Sequence, residues 1–281
     1  MAYKSIQVKP VAGALGAEIF GADLTKDLDN ETFDDIHQAF LDHQVIFFRD
    51  QAGLSPERHK AFGRRFGGLN VHPYVKAMDG HPEILEIIKE PSDKLNFGGG
   101  WHSDMSFLEQ PALGSMLYAV EVPPHGGDTL FASQFAAYDA LSDAMKDMLG
   151  GLSAVHSASR EYSARGASAQ KRGAMQSEVA EDAPEFTHPV VRAHPETGRK
   201  GLYVNPAFTL RFEGMTKRES KPVLDFLFEH SRYEAFTCRF RWTKDALAFW
   251  DNRCVWHFAL NDYPGERRHM RRVTINGDRP R

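Results

Sequence analysis

The residues best suited to chemistry are a histidine and an aspartate separated by one position, His102 and Asp104, and a distant histidine, His257. Side chains two positions apart point to the same side of an extended strand, so His102 and Asp104 can bind one ion together. Two imidazoles and one carboxylate leave half of an octahedral coordination sphere open, which is typical of non-haem iron(II) sites. The sequence therefore predicts an iron(II) site formed by these three residues.

Each part of this set also has an ordinary explanation. A short His-x-Asp pair is common at strand ends, and His257 alone would be interpreted as a core histidine packed by Trp256 and Phe258. The combination favours a metal site, because a short motif gains meaning from its context. A zinc hydrolase has no support, since the sequence contains no His-Glu-x-x-His motif and no closely paired cysteines.

Two arginines near the end of the chain are candidates for binding carboxylates. Arg268 and Arg272 are four positions apart around a predicted strand, so their side chains project from one face. A guanidinium binds a carboxylate through two parallel hydrogen bonds and stays charged when buried. Thr129 can donate its hydroxyl to the same carboxylate. The alternative, a solvated basic edge, fits Arg267 and Arg271 better.

The elements that must position these residues are mostly short strands. Alternating and continuous apolar runs predict strands, and apolar residues three and four apart predict helices. Many strands with inserted helices and no regular βαβ alternation indicate a mainly β fold with a sandwich or barrel core, in a single domain spanning 1–281. The predicted strands are 5–9, 45–48, 83–89, 113–122, 128–131, 189–192, 201–205, 235–242, 246–250 and 271–276, and the predicted helices are 32–43, 56–66, 133–149 and 217–233.

One segment differs in composition from the rest of the chain. Residues 160–183 contain few large apolar side chains and many charged or small ones. Long segments of this kind in compact domains often cover binding sites. We therefore expect a mobile lid around 160–183.

Bulk properties restrict the partners and the compartment. A net charge of −4 gives no reason to expect nucleic acid or an anionic membrane as a partner. Cys238 and Cys254 form no CxxC motif, which favours a reducing compartment. Because no signal peptide and no window of roughly 20 apolar residues is evident, we expect a soluble, cytoplasmic protein.

Together these residues resemble the TauD/TfdA family of iron(II)- and 2-oxoglutarate-dependent dioxygenases, which includes taurine dioxygenase and 2,4-dichlorophenoxyacetate dioxygenase. The similarity extends over nearly the whole chain and its motifs occur in the family's order. They are Val-Ile-Phe-Phe-Arg at 45–49, Phe-Gly at 66–67, His-Pro at 72–73, Trp-His-Ser-Asp at 101–104, Gly-Gly-Asp-Thr at 126–129, His-Pro-Val-Val-Arg at 188–192, Val-Asn at 204–205, Trp-Asp-Asn-Arg at 250–253, His257, and the arginines at 267–272.

The resemblance implies a double-stranded β-helix, or jelly-roll, core and a set of cofactors. By position, His102, Asp104 and His257 would bind Fe(II). Thr129 and Arg268 would bind the distal carboxylate of 2-oxoglutarate, and O2 would be the second cosubstrate.

The resemblance also assigns substrate residues, and this chain departs from the family there. Positions matching His72 and Arg272 bind a substrate sulfonate or carboxylate, and those matching Tyr162 and Phe208 are aromatic residues near the substrate. Gly98 falls where taurine dioxygenases carry an asparagine, and Tyr162 replaces a phenylalanine. We therefore expect an anionic substrate that is shaped differently from taurine, for example a larger one.

The predicted activity is hydroxylation of a C–H bond in a small sulfonate, sulfate ester or carboxylate, with release of succinate and CO2. Cleavage of a C–S or C–O bond can follow. Halogenation is disfavoured because Asp104 supplies a carboxylate where halogenases leave room for a halide. The family suggests a homodimer or homotetramer. The alternative is a non-catalytic jelly-roll protein that binds a metal or ligand, which would not need Arg268 and Thr129 beside the metal.

Overall fold

The computed structural model describes residues 3–163 and 183–281, which form a mainly β protein with helices packed on its outer faces. The strands are β1 (Gln7–Pro10), β2 (Ala17–Phe20), β3 (Val45–Phe48), β4 (Ala77–Met78), β5 (His81–Lys89), β6 (Ala112–Glu121), β7 (Thr129–Ser133), β8 (Ser153–Ser157), β9 (Glu185–Pro189), β10 (Val191–Ala193), β11 (Lys200–Leu202), β12 (Thr209–Phe212), β13 (Thr237–Phe240), β14 (Leu247–Asp251), β15 (Val255–Ala259) and β16 (Arg268–Asn276). The α-helices are α1 (Asn30–His43), α2 (Pro56–Arg64), α3 (Gln134–Asp139), α4 (Asp143–Gly150), α5 (Ser159–Tyr162) and α6 (Lys217–His230).

Two sheets form the centre of the fold. The larger has eight strands in the order β1-β2-β3-β14-β6-β16-β5-β4, and the smaller has the order β13-β7-β15. Neighbouring strands in both are antiparallel except for β2 and β3. From β3 through β14, β6 and β16 to β5, strands adjacent in space are distant in sequence, as in a jelly roll, so the chain repeatedly crosses between the sheets. The predicted mainly β, jelly-roll fold is confirmed.

Alternate residues of the central strands face two different cores. In β3, Val45 and Phe47 pack between the two sheets, whereas Ile46 and Phe48 pack against the outer helices. A period of two in side-chain direction produces this division. Phe47 stacks on Phe240 of the smaller sheet with ring centroids 4.1 Å apart. The inner core therefore joins the sheets, and its open end holds the site described below.

The outer helices begin where polar side chains cap them. Asp29 accepts a hydrogen bond from the Thr32 N–H at the start of α1, and Ser55 does the same for Arg58 in α2. Such caps satisfy backbone donors that lack a partner within the helix. Phe40 of α1 then stacks on Phe249 of the large sheet, with ring centroids 4.0 Å apart.

Several predicted element boundaries were wrong. The single helix predicted over 133–149 is two helices, α3 and α4, because Ser142 accepts a hydrogen bond from the Met145 N–H and starts a new helix. The strand predicted at 189–192 is interrupted at Val190, which separates β9 from β10. The prediction missed β2, β4, β8 and β12 and gave no bounds for β15; these strands have two to five residues each.

Most of the predicted lid lies outside the described residues, since 164–182 are not among them. Its first residues, Arg160 to Tyr162, belong to α5 and line the cavity of the candidate site. Closure of a lid over the site stays a prediction.

Among residues 3–163 and 183–281, none of the helices combines the length and the apolar character that crossing a membrane requires.

Candidate active site

Backbone pairing between His102 and the middle of β15 brings the predicted histidines together. His102 and His257 form an isolated antiparallel bridge, in which the His102 N–H donates to the His257 carbonyl at 3.1 Å and the His257 N–H donates back at 2.8 Å. Directly opposed residues in such a pair project to the same side. The two imidazole rings consequently lie beside each other, with centroids 4.0 Å apart and their planes tilted by 46°.

Asp104 completes the group from just beyond the bridge. Its Oδ1 lies 3.6 Å from His102 Nε2, and its Oδ2 lies 3.9 Å from His257 Nε2. Ser115 Oγ donates to Oδ2 at 2.7 Å and Arg272 Nη1 donates to Oδ1 at 2.9 Å, so the carboxylate is held on two sides. All three predicted ligands are buried.

The electrostatics keep the carboxylate charged and the remote histidine neutral. Burial alone would raise the pKa of Asp104, but Arg272 and the neighbouring histidines hold it well below its ordinary value. Burial, helped by the proximity of His102, lowers the pKa of His257 well below its ordinary value. Neutral imidazole and ionised carboxylate are the forms that bind a metal.

The free lone pairs of this group fit a divalent ion such as Fe(II). Ligand atoms of His102, Asp104 and His257 all lie within 4.8 Å of one another. His102 Nδ1 lies 2.8 Å from the Gly100 carbonyl and donates its hydrogen there, which leaves Nε2 as the metal-facing acceptor. A carboxylate has about four acceptor positions, and the two donors on Asp104 leave the others free.

A second cluster of potential ligands, His194, Asp251 and Cys254, is equally compact and buried. Its acceptors are already occupied. His194 Nε2 donates to Asp251 at 2.9 Å, and His194 Nδ1 accepts from two backbone N–H groups. Arg253 adds three donors to the Asp251 carboxylate, from its backbone N–H, Nε and Nη2. This cluster forms a structural hydrogen-bond network.

Arg268 and Thr129 lie beyond the histidines inside the same core. Arg268 is 4% exposed, and neither Nε nor Nη2 has a hydrogen-bond partner among the described residues. Thr129 Oγ1 accepts from Trp242 Nε1 at 2.9 Å, and the Arg268 guanidinium lies 5.7 Å from the Trp242 ring centroid. Burial lowers the pKa of Arg268. A buried cation with free donors beside a hydroxyl is suited to a carboxylate ligand.

The two predicted anion-binding residues for substrate come from different segments, Arg272 from the middle of β16 and His72 from the segment that precedes β4. His72 Nδ1 accepts from the Tyr74 and Val75 N–H groups, both at 3.1 Å, so its hydrogen is on Nε2. Burial and the nearby Arg272 charge lower the pKa of His72 to about 3, which makes it a neutral donor. Arg272 itself is bonded to Asp104 and thus links the anion end to the metal group.

A cavity of about 460 Å³ opens beside His102. Tyr162 and Phe208 line it, whereas the buried His72 and Arg272 do not, although His72 contacts the Tyr162 ring at a centroid distance of 5.8 Å. The structure thus brings two of the four predicted substrate residues to the cavity wall. The remaining lining comes from residues 95–101, 160–161, 206–207 and 261.

Several functional candidates were missed by sequence analysis. Ser115 orients Asp104, and Asn252 Nδ2 donates to Ser115 Oγ at 2.9 Å. Trp250 Nε1 in turn donates to Asn252 Oδ1 at 2.9 Å. The sequence feature that could have indicated Ser115 is its hydroxyl, a small polar group within an apolar strand. Asn252 was noted only as part of a motif.

Comparison with known proteins identifies the family. Residues 7–274 match the family described as taurine catabolism dioxygenase TauD, TfdA family. The chain is 34% identical over 277 residues to an alpha-ketoglutarate-dependent sulfate ester dioxygenase of Pseudomonas putida, covering 98% of this chain and 91% of that protein. It is 33% identical over 298 residues to an alpha-ketoglutarate-dependent 2,4-dichlorophenoxyacetate dioxygenase of Cupriavidus pinatubonensis, covering 98% and 99%, respectively.

A solved structure extends the similarity to three dimensions. A taurine dioxygenase from Burkholderia xenovorans superimposes with a TM-score of 0.83 and 37% identity, covering 99% of this chain and 93% of that one. The chain therefore belongs to the TauD/TfdA family, and it is an Fe(II)- and 2-oxoglutarate-dependent dioxygenase. The predicted enzyme class and cofactors are confirmed, and the alternative of a non-catalytic binding protein receives no support.

Proposed function

We propose that the enzyme hydroxylates a C–H bond of a small organic anion that is a sulfate ester, a sulfonate or a carboxylate such as an aryloxyalkanoate. One atom of O2 goes to the substrate carbon and the other to succinate, while 2-oxoglutarate loses CO2. The observation that carries the proposal is the line of buried groups along β16. Arg268 and Arg272 project from one face, roughly 13 Å apart along the strand, with the His102, Asp104 and His257 group beside Arg272.

In this proposal His102, Asp104 and His257 hold Fe(II), which supplies the oxidising chemistry together with 2-oxoglutarate and O2. The protein's own contribution is orientation. The backbone bridge fixes both imidazoles, and Ser115 and Arg272 fix the carboxylate. Geometry held in this way needs no rearrangement during the reaction.

Arg268 and Thr129 bind the distal carboxylate of 2-oxoglutarate in this proposal. The free Nε and Nη2 of Arg268 point to a paired contact with two carboxylate oxygens. The arginine is buried, and an unpaired buried charge costs several kcal/mol, so a bound carboxylate relieves that cost.

At the opposite end, His72 and Arg272 bind the substrate anion, while Tyr162 and Phe208 flank its organic part. The neutral His72 Nε2–H adds a donor without adding a charge. If the oxidised carbon carries a sulfate-ester oxygen, an aryl-ether oxygen or a sulfonate sulfur, the bond to that atom breaks and the hydroxylated product collapses to a carbonyl compound. The hydroxyl proton leaves with the released sulfate, phenol or sulfite.

Gly98 supports a substrate that is bulkier than taurine near the metal. Its φ is +76°, and a Cβ added there would lie 3.4 Å from His102 Cε1. Any side chain at this position would therefore narrow the cavity directly over an iron ligand. The names of the relatives, which act on sulfate esters and 2,4-dichlorophenoxyacetate, agree with an anion that carries an apolar group.

The test is succinate formation from 2-oxoglutarate with Fe(II) and ascorbate under air. The panel contains alkyl sulfates of increasing chain length, sulfonates including taurine, and aryloxyalkanoates. We expect at least one apolar anion to stimulate succinate release more than taurine does. Arg268→Ala should abolish the stimulation, whereas Arg267→Ala, which removes an arginine paired with Glu90 and Glu121 near the surface, should keep it.

Equal stimulation by neutral analogues that lack the anionic group would contradict the proposed substrate class. Loss of activity in Arg267→Ala equal to that in Arg268→Ala would contradict the assigned cosubstrate residue.

We further propose that the enzyme works in a reducing compartment, the cytoplasm, as a homo-oligomer. Cys238 and Cys254 are both free and buried, which supports the compartment. Light scattering of the purified protein tests the assembly, and a monomer at working concentration would contradict it.

A further inference from the structure

A lysine on β5 lies beside the arginine assigned to 2-oxoglutarate. Lys89 is the direct partner of Arg268 in the antiparallel pairing of β5 and β16, and directly opposed residues project to the same face. The next pair on this face is Ile87 with Met270, and Met270 is fully buried between the two sheets. Lys89 therefore projects into the same interior as Arg268.

Within the described residues, no carboxylate is hydrogen-bonded to either of these two cations. Lys89 and Arg268 are each 4% exposed. Lys89 Nζ has no hydrogen-bond partner among residues 3–163 and 183–281, as is also true of Nε and Nη2 of Arg268. The acidic neighbour of Arg268, Asp128, is bonded to Arg239 at 2.6 Å. The charge of the pair is consequently not balanced within the described part of the chain.

The ordinary explanation for Lys89 is that it stacks on an aromatic ring. Its Nζ lies 4.6 Å from the ring centroid of Tyr263. A cation–π contact contributes about 0.5–1 kcal/mol at exposed sites and about 2 kcal/mol when it is desolvated, whereas desolvating an ammonium costs several kcal/mol, so stacking alone does not offset burial. A bound anion would supply the missing stabilisation.

We propose that Lys89 is a second cationic contact for the distal carboxylate of 2-oxoglutarate, beside Arg268. This inference rests on the assignment of Arg268 proposed above. Tyr263 lies against the lysine on one side, and its ring is also near Arg268, since a Cβ added at Gly127 would lie 3.4 Å from both Tyr263 Cδ1 and Arg268 Cδ. The two cations together would select a 2-oxo diacid over a 2-oxo acid that ends in a methyl group.

The experiment compares two ligands by anaerobic calorimetry, with Mn(II) in place of iron so that no turnover occurs. The ligands are 2-oxoglutarate and 2-oxopentanoate, which has the same chain but no distal carboxylate. We expect Lys89→Met to weaken binding of 2-oxoglutarate by about 10- to 100-fold, the range for hydrogen bonds to charged groups, and to change 2-oxopentanoate binding by less than about twofold.

Two further variants serve as controls. Lys89→Arg keeps the charge and should retain most of the preference for the diacid, while Lys9→Met removes an exposed strand lysine and should change neither affinity. Thermal unfolding shows whether each variant is folded.

Equal weakening of both ligands by Lys89→Met, or no weakening of either, would overturn the proposal and leave Lys89 a structural residue. If the unaltered protein with Mn(II) binds no 2-oxoglutarate, the proposed cosubstrate site itself fails.

Discussion

Two buried clusters contain nearly the same ligand types in this protein, yet their surroundings differ. In the cluster of His102, Asp104 and His257, the nitrogens that face the carboxylate lie 3.6 and 3.9 Å from it and make no short hydrogen bond to it. In the other, His194 donates to Asp251 at 2.9 Å. Both groups lie within 4.8 Å internally and both are buried, so neither compactness nor burial separates them.

The difference lies in how the carboxylate lone pairs are used. Asp251 accepts four hydrogen bonds, three from Arg253 and one from His194, which matches its full capacity. Asp104 accepts two, from Ser115 and Arg272. A metal site is therefore indicated by acceptors left free, and a structural network by acceptors that are all occupied.

The largest expected effect comes from removing one histidine of each cluster. His102→Ala should lower turnover by about a thousandfold or more, because the iron supplies several kcal/mol of barrier reduction and each 1.4 kcal/mol is tenfold. His194→Ala should retain turnover in the folded protein but lower the free energy of unfolding by about 2–4 kcal/mol, through lost buried hydrogen bonds and a cavity. Succinate release and urea unfolding measure the two quantities. Retained turnover in His102→Ala together with lost turnover in a folded His194→Ala would contradict the distinction between the two clusters.

An intermediate effect is expected from the residues that hold each carboxylate. Ser115→Ala removes the donor to Asp104 Oδ2, and supporting contacts of this kind are worth about 10- to 100-fold in metal affinity. Arg253→Lys loses the forked contact with Asp251 and should lower the free energy of unfolding, with metal affinity unchanged. Calorimetric titration with Mn(II) measures the affinity. Weaker Mn(II) binding in Arg253→Lys would show that the cluster around Asp251 also supports the metal site, which contradicts the distinction between the two clusters.

The smallest expected effect concerns a buried histidine that belongs to neither cluster. Burial and the Arg271 charge lower the pKa of His59 from 6.5 to about 3. Below pH 6.5 the unfolded chain binds a proton that the folded protein does not, so stability falls as the pH falls towards the folded pKa. Between pH 7 and pH 5.5, the metal-free protein should lose about 1 kcal/mol more stability than His59→Leu does. Identical pH profiles of unfolding would show that His59 is not held neutral.

Sequence analysis predicted the class of fold and the groups that carry a motif. The spacing of His102 and Asp104 is a local property, and the bridge to His257 joins two segments that motifs identify separately. The position of Lys89 opposite Arg268 depends on long-range strand register, which local patterns do not specify. The role of Ser115 could not be predicted for the same reason, because the partner of its hydroxyl is set by contacts between segments that are distant in the sequence.

Helix boundaries show a second limit. The apolar face over 133–149 predicted one continuous helix starting at the Ser133 cap, but a second serine cap, Ser142, divides the segment into α3 and α4. Ser142 accepts from the Met145 N–H, a donor that an uninterrupted helix would bond internally. Hydrophobic periodicity identifies the buried face of a helix, but it does not identify where one helix ends and the next begins.

The most direct test of the metal assignment is anaerobic titration with Fe(II), followed by measurement of bound iron per chain. We expect one iron in the unaltered protein, none in His102→Ala, and one in His194→Ala. Iron retained by His102→Ala, or lost from a folded His194→Ala, would contradict the assignment of the iron site to His102, Asp104 and His257.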